Sequence, residues 1–398
     1  MKKRIKPFPK HPIIGEEEIK AVNSVLKEGN LSSFLANPNK ILGGKRVQEL
    51  EGRFREYHGV KYAVAFNSGT SALHASIIAS GVNPLDEVIT TPYTFTATAS
   101  SILMANAIPV FSDIQLNTFN INPESIKKNI SKSTKAIIPV HLFGNAVDMD
   151  EIMEIARDNN LKVIEDCAQA PGAMYKKRKV GTIGDCGIFS LTETKNITSG
   201  EGGILITNDK KIAEIARLVR NHGEAIIDQT NRTYDSTILG YNYRMTEVDA
   251  AIGIEQFKKL DQLNDVRIKL AEFLNEEFKE LEMLHPQEIH ENNKSVYNIY
   301  SFRLERNRNK FVRLANKQGI PYSEGYIKPL YYSKIYHGNK PFIYKHYKGK
   351  AKYDKGLCPV AERCHFKEVV IISVVRAPAT LLDMLDISSI TKEIYEEI

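Results

Sequence analysis

The sequence predicts an α/β protein: a large domain built on a mostly parallel sheet with helices on both faces, then a smaller C-terminal α+β domain. Three observations carry that reading. Short runs of unbroken apolar residues (62–66, 86–91, 108–111, 136–140, 162–165 and 203–207) alternate with helical patterns, and strands that are apolar on both faces belong to sheets covered on both sides. At 398 residues the chain is long for one core, so one large and one small domain is the expected division. Beyond about residue 263 the pattern changes to charged helices and isolated short strands. The expected domains are therefore 1–262 and 263–398, with residues 1–30 able to pack against the smaller one.

In chain order, residues 16–27 carry Ile19, Val22, Val25 and Leu26 on one helical face, closed by Gly29. A polar stretch, 30–44, has no periodicity. Val47, Leu50, Phe54 and Tyr57 form a second helical stripe that His58-Gly59 ends. Strand 62–66 runs through Asn67-Ser-Gly-Thr-Ser71 into a helix over 72–80. Strand 86–91 is broken by Pro92, and Tyr93-Thr-Phe-Thr-Ala97 leads into another helix of small residues. A helix over 149–158 places Met149, Ile152 and Ile155 on one face. Residues 189–190 and 203–207 extend the sheet, and 210–220 is helical up to Asn221-His222-Gly223. A long helix passes through Ala250, Ala251, Ile254, Phe257, Leu260 and Leu263. Residues 298–304 read as a strand of the small domain, and the Lys/Tyr-rich stretch 344–355 as an exposed loop.

Bulk properties exclude several classes. No apolar run reaches the roughly 18–20 residues of a membrane span, and no apolar signal core follows the basic N-terminus, so a cytoplasmic protein is expected. Cys167, Cys186, Cys358 and Cys364 form no C-x-x-C pair and no zinc spacing, which favours free thiols over a metal. The net charge is +6, with basic clusters at 176–179 and 345–355. These are solvated faces or a weak pull on anionic substrates. No aromatic-interleaved basic motif points to nucleic acid.

In open parallel sheets, ligands lie beyond the carboxyl ends of the strands. Asp166 closes strand 162–165 there, Ser190 closes 188–189, the Ser68-to-Ser71 turn closes 62–66, and Phe95 follows 86–91. Lys195 stands alone in the polar crossing between Ser190 and the turn Gly200-Glu-Gly-Gly203. An anion turn, an aromatic face, a carboxylate and a lysine in one pocket meet the needs of pyridoxal phosphate. That cofactor takes a lysine amine, a carboxylate opposite its ring nitrogen, an anion site and an apolar wall. Each feature also has a plain structural reading: Asp166 as the cap of a segment starting at Ala168, and residues 68–71 as an ordinary capped turn.

Several motifs are specific in combination. They are Ser68-Gly-Thr-Ser-Ala-Leu73, Pro92-Tyr-Thr-Phe-Thr-Ala-Thr-Ala99, Val140-His-Leu-Phe-Gly144 with Asp148-Met-Asp150, and Glu165-Asp-Cys-Ala-Gln-Ala170. To these are added Phe189-Ser190 to Lys195, Gly200-Glu-Gly-Gly203 and Gly240-Tyr-Asn-Tyr-Arg-Met245. Through them the chain resembles the DegT/DnrJ/StrS family of sugar aminotransferases, pyridoxal-phosphate enzymes of fold type I, from about residue 14 to 256 and more weakly beyond. The resemblance implies a seven-stranded large-domain sheet, with Lys195 as the Schiff-base lysine and Asp166 as partner of the pyridine nitrogen. It also implies Gln169 near the ring hydroxyl, Phe95 stacked on the ring, and the phosphate held by the Gly69 and Thr70 amides and the Ser190 hydroxyl. In this family a loop of the second subunit completes the phosphate site. Asn242 matches it, which implies a homodimer with shared active sites.

The implied reaction moves an amino group from glutamate or glutamine to a keto-sugar, most often nucleotide-linked, in making cell-surface polysaccharide or secondary-metabolite sugars. The chain departs from the family at Leu191-Thr-Glu-Thr194, where many members carry Phe-His-Pro, and in a longer segment over 325–366 that includes Cys358-Pro-Val-Ala-Glu-Arg363. Both departures concern the substrate end of the site. Three alternatives are a cyclitol or other carbocyclic ketone as acceptor, a sugar dehydratase (in which histidine replaces the lysine), and a non-catalytic cofactor-binding regulator.

Overall fold

In the computed structural model, which describes residues 3–11, 14–34, 41–228, 233–337 and 342–398, the apolar runs form one seven-stranded sheet. Its strands are β1 (Tyr62–Phe66), β2 (Glu87–Thr90), β3 (Ile108–Phe111), β4 (Thr134–Ile138), β5 (Lys162–Asp166) and, beyond a small hairpin of β6 (Met174–Tyr175) and β7 (Arg178–Lys179), β8 (Cys186–Ser190) and β9 (Gly203–Thr207). The spatial order is β1-β9-β8-β5-β4-β2-β3. Only β9 runs against its neighbours, so the mostly parallel sheet expected from the sequence is present. The direction of β9 has a simple cause. Parallel strands need a crossover of a dozen or more residues, usually a helix. The connection 191–202 contains none, so the chain turns back at the carboxyl end of β8.

Helices cover both faces. α1 (Glu16–Glu28), α2 (Lys45–His58), α3 (Gly69–Ala79), α4 (Ala97–Met104), α5 (Pro123–Asn129), α6 (Met149–Asp158), α7 (Lys210–Arg220), α8 (Glu247–Lys258) and α9 (Leu260–Phe278) follow in order. One core joins Val47 and Phe54 of α2, Ile152 of α6 and Phe257 of α8 to one sheet face. The other joins Leu73 of α3 and Val219 of α7 to the opposite face. The long helix expected through Leu263 is two helices that meet at Lys259, whose backbone (φ −95°, ψ −3°) leaves the helical line. Residues 35–40 of the polar stretch 30–44 lie outside the described residues.

A hairpin of β10 (Glu224–Asp228) and β11 (Thr233–Ser236) precedes α8. A second sheet, ordered β12-β13-β15-β14, joins β12 (Leu284–Pro286), β13 (Tyr300–Leu304), β14 (Ser323–Glu324) and β15 (Val369–Ile372). With α9, α10 (Arg308–Lys317) and α12 (Leu381–Glu397) it encloses a core of Phe278, Phe302, Phe311 and Ile390. The N-terminal segment divides its packing. Arg4 pairs with Asp383 (2.5 Å) and Asp386 (2.7 Å) on α12, whereas α1 lies on α8, with Glu18 accepting from Gln256 at 2.8 Å.

The stretch 344–355 corrects one expectation: it is not simply an exposed loop. Tyr353 is 7% exposed; its hydroxyl donates to the Pro109 carbonyl (2.8 Å) and receives one from Tyr344 (3.1 Å). Its ring meets Phe111 edge-on at 5.9 Å. β3 is an edge strand, and edges need cover. Tyrosine can supply an apolar ring to that edge while its hydroxyl satisfies a backbone carbonyl, and the interleaved lysines stay in solvent. Near this segment, α11 (Pro359–Arg363) is fastened to the large sheet by the Asp113 carboxylate, which accepts the Val360 and Ala361 amides, both at 2.9 Å.

β9 begins directly under the turn that leads into α3. A Cβ on Gly203 would lie 2.2 Å from the Ser68 carbonyl oxygen, a backbone atom that has no room to yield. Gly203→Ala is therefore expected to destabilise the fold by about 1–3 kcal/mol, read as a lower urea midpoint; an unchanged midpoint contradicts the close packing.

Candidate active site

The carboxyl ends of β1, β2, β5 and β8 open into a cavity of about 680 Å³. At its first corner Ser68 caps α3. Its backbone is extended (φ −162°, ψ 159°), and its Oγ accepts the Ser71 amide at 3.1 Å. The first intrahelical bond runs from Ala72 N to Ser68 O (3.1 Å), so the amides of Gly69 and Thr70 have no partner inside the helix and carry the positive end of its dipole. A Cβ on Gly69 would lie 2.9 Å from the Ser190 Cβ. Glycine thus lets the Ser190 hydroxyl stand against the first turn of α3. The turn is both a capped helix start and an anion cradle, so the two readings of residues 68–71 do not compete.

Asp166 ends β5 and is 3% exposed. Its Oδ2 accepts the Thr98 hydroxyl (2.9 Å) and its Oδ1 the Ala168 amide (3.1 Å). No helix starts at Ala168, so the capping alternative reduces to a local turn. Burial raises the Asp166 carboxyl above the usual range; its two hydrogen bonds and the Lys195 charge oppose that rise. Lys195 lies in the 191–202 return, in a turn closed by its amide to the Thr192 carbonyl (3.0 Å). Burial lowers its amine below the ordinary lysine value, and the Asp166 charge pulls it back up. A desolvated amine and a desolvated carboxylate therefore face one cavity.

Gln169 is fixed at both ends: its Oε1 accepts the Phe143 amide (2.8 Å) and its Nε2 donates to the Tyr326 hydroxyl (3.2 Å). Phe95 lines the cavity and remains 52% exposed. The structure thus brings together Gly69, Thr70, Phe95, Asp166, Gln169, Ser190 and Lys195. It does not bring Asn242 to them: that residue is exposed, outside the cavity, and bridged to the Asn221 backbone.

Sequence reasoning missed Tyr326, Asn298 and Arg376 of the cavity wall, from the C-terminal third, and His11, whose Nε2 lies 3.4 Å from the Lys195 carbonyl oxygen. Asn196 donates to Asn264 Oδ1 (2.7 Å) and to the Val296 carbonyl (3.1 Å), and accepts from Asn298 (2.9 Å). This amide network ties the residue after Lys195 to α9 and to the approach to β13. An asparagine beside the lone lysine was the available signal for it; Arg376 and His11 sit in stretches with no pattern.

Behind the site, Glu165 is fully buried. It accepts the amides of Gly181 (2.8 Å), Ile183 and Gly184 (each 2.7 Å), and meets His141 Nε2 at 3.1 Å. The Val147 amide donates to His141 Nδ1 (3.1 Å), which places the ring proton on Nε2. Glu165, His141 and Cys167 lie close enough for a metal, but the carboxylate is already saturated by donors. Its work is to fix the strand end that carries Asp166.

A mostly parallel seven-stranded sheet with a lysine in the return beyond its carboxyl edge, plus a smaller sheet domain, defines the fold-type-I aminotransferases. The chain belongs to the DegT/DnrJ/EryC1/StrS aminotransferase family, whose model matches residues 12–371. It is 46% identical to the GDP-perosamine synthase of Caulobacter vibrioides over 219 residues, 55% of this chain and 58% of that one. It is 32% identical to a putative L-glutamine:3-amino-2,3-dideoxy-scyllo-inosose aminotransferase of Micromonospora echinospora, over 96% of this chain and 93% of that one. Among solved structures, Helicobacter pylori PseC, an aminotransferase involved in the biosynthesis of pseudoaminic acid, superposes with a TM-score of 0.84 at 28% identity, covering 99% of this chain and 100% of that one.

The folded Asp166 carboxyl is raised above its unfolded value, so its ionisation costs stability at neutral pH. That cost vanishes below the unfolded value, where both states are protonated. Asp166→Asn in cofactor-free protein is expected to raise the urea midpoint at pH 7 and to lose that advantage below about pH 4. A variant less stable than wild type at pH 7 contradicts this account.

Proposed function

We propose that the protein is a pyridoxal-phosphate-dependent aminotransferase that moves an amino group from glutamate or glutamine to a nucleotide-linked keto-sugar, in amino-sugar biosynthesis for cell-surface polysaccharide or secondary metabolites. The single observation that carries the reading is the desolvated pair of Lys195 and Asp166 facing one cavity beside a helix start with two free amides. The residues fit the cofactor. The Gly69 and Thr70 amides and the Ser190 hydroxyl suit a phosphate dianion, Asp166 suits a protonated ring nitrogen, Phe95 offers a ring face, and Gln169 offers an amide held by Phe143 and Tyr326. Bound there, the cofactor supplies an electrophilic carbon and an electron sink for the carbon that gains or loses nitrogen.

The chain's own residues do the rest. Lys195 takes and returns a proton at Nζ, a task that its lowered proton affinity suits. Asp166, rigid on β5, keeps a negative charge opposite that amine. Thr192, Thr194 and Tyr326 border the space left for the acceptor. Lysine at 195 disfavours the dehydratase alternative. A nucleotide-linked acceptor is supported by the similarity to a GDP-perosamine synthase. A cyclitol acceptor is the second reading, favoured by the nearly full-length match to a protein named for an inosose and glutamine.

We further infer a homodimer: Asn242, exposed and away from its own cavity, is free to reach the phosphate end of a second copy's site. No helix of the described residues is long and apolar enough to cross a membrane, which is compatible with a cytoplasmic enzyme.

Purified protein is expected to absorb in the visible and to bleach when glutamate or glutamine is added. Lys195→Ala should lose at least about 10³-fold in turnover, and a variant that still turned over normally would sink the assignment. A shared site adds a second expectation. Lys195→Ala and Asn242→Ala homodimers should each be impaired, and their subunits, mixed and re-equilibrated, should regain up to about a quarter of wild-type activity. Mixtures no more active than their parents would remove the shared site.

A further inference from the structure

The Lys/Tyr-rich stretch 344–355 borders a second cavity, of about 580 Å³, that shares no lining residue with the active site. It opens where β2 and β4 begin, at the amino edge of the sheet, whereas the active site lies at the carboxyl edge. Five lysines line it: Lys128 and Lys132, from the end of α5 and the turn into β4, and Lys348, Lys350 and Lys352 from the tyrosine-bearing stretch. None of the five makes an ion pair or a side-chain hydrogen bond among the described residues. Glu124, which precedes Lys128 on α5, pairs with Lys127 at 2.6 Å. The one carboxylate among the described lining residues, Glu87, is already committed. Its Oε1 accepts the Tyr347 hydroxyl and its Oε2 the Ser131 hydroxyl at 2.6 Å.

The stretch that carries three of these charges is held at both ends. Besides its bond to Glu87, the Tyr347 hydroxyl accepts the Ala351 amide at 3.1 Å, and Tyr353 donates to the Pro109 carbonyl. A Cβ on Gly349 would collide with the Tyr347 hydroxyl, so glycine lets the chain fold back over that ring. Lys348, Lys350 and Lys352 are thus presented from a short anchored turn, which lowers the ordering cost of binding a ligand there. Repulsion among five ammonium groups around one concavity opposes the arrangement, and a bound anion relieves it.

We propose that this second cavity binds a compact polyphosphate anion, the di- or triphosphate group carried by a nucleotide or by inorganic polyphosphate. Five positive charges call for several negative ones in one small ligand; a single carboxylate leaves most of them unmatched. The cations are all lysines, with no arginine among the described lining residues. Ammonium groups are rotatable point charges that suit phosphate oxygens in any direction, whereas the planar fork of arginine is the better match to a carboxylate. The volume is that of a small-molecule pocket, and a concave site takes a small molecule in preference to a flat bilayer. Ile130 and Leu357 add apolar surface to the lining, on which a nucleoside could rest. The inference stands apart from the aminotransferase reading, because no residue of this cavity handles the amino group.

The test uses the full chain, loaded with pyridoxal phosphate and freed of excess, so that the Gly69 and Thr70 amides are not available to the probe. Calorimetric binding of inorganic triphosphate is measured at about 0.15 M salt. The Lys348→Gln/Lys350→Gln/Lys352→Gln and Lys128→Gln/Lys132→Gln variants should each weaken that binding at least about tenfold. Lys176→Gln/Lys177→Gln/Arg178→Gln, which removes three charges from another basic cluster, should leave it unchanged. A second readout needs no variant: triphosphate should protect the five lysines of wild type from acetylation, read by mass spectrometry, and leave Lys177 reactive. A nucleoside triphosphate in place of the inorganic one separates the two carriers. Tighter binding supports a nucleotide, with its nucleoside on the apolar wall, and equal binding supports polyphosphate itself. The proposal is overturned by no binding at millimolar triphosphate, by an equal loss in all three variants, or by unprotected lysines. Retention on anionic vesicles or on DNA without binding of triphosphate also overturns it.

Discussion

The structure depends on holding a buried carboxylate and a half-buried amine at the same edge of one sheet. Neither charge is stable there alone. Burial pushes the Asp166 carboxyl up and the Lys195 amine down, and each partly restores the other. The fold makes the pairing possible by direction: β5 delivers Asp166 at its carboxyl end, and the chain, instead of crossing over after β8, turns back and leaves Lys195 in the return. A parallel β9 would have carried this segment to the far end of the sheet.

Around that pair the supports are rigid and mostly uncharged. Glu165, one residue from Asp166, spends its whole acceptor capacity on three amides and a histidine. The asparagines at 196, 264 and 298 exchange hydrogen bonds between the lysine return and the second sheet's side of the molecule. Such networks are strong only when every member is satisfied. Against this background Arg376 stands out, because its side chain lines the cavity and makes no ion pair or hydrogen bond among the described residues.

Much of this was legible in the sequence because it rests on local chemistry. Strands buried on both faces leave unbroken apolar runs, and a serine cap followed by Gly-Thr marks a helix start that faces a ligand. The cavity collected seven of the eight named site residues at strand ends; Asn242 stayed outside. What was not legible lies in long-range packing. Nothing around His11 or Arg376 announces that they meet across the site. The tyrosines over 344–355 looked exposed because lysines surround them, and only the unpaired edge of β3 explains why their rings turn inward. The division at Lys259 likewise carried no glycine or proline to mark it.

That tyrosine cover belongs to the same stretch of chain as Tyr326, which touches the cavity through Gln169. Tyr331 and Tyr336 lie between them and meet the ring of Phe111 of β3, the first tilted and the second edge-on. One segment therefore serves two masters, the wall of the cavity at one end and protection of a sheet margin at the other. Segment exchange between relatives is for this reason not a clean way to transplant specificity: a borrowed stretch would bring its own fit to β3, and a poor fit would leave a sticky margin exposed. Point changes at Thr192 and Thr194, which line the cavity from another stretch of chain, offer the more separable route to redesign.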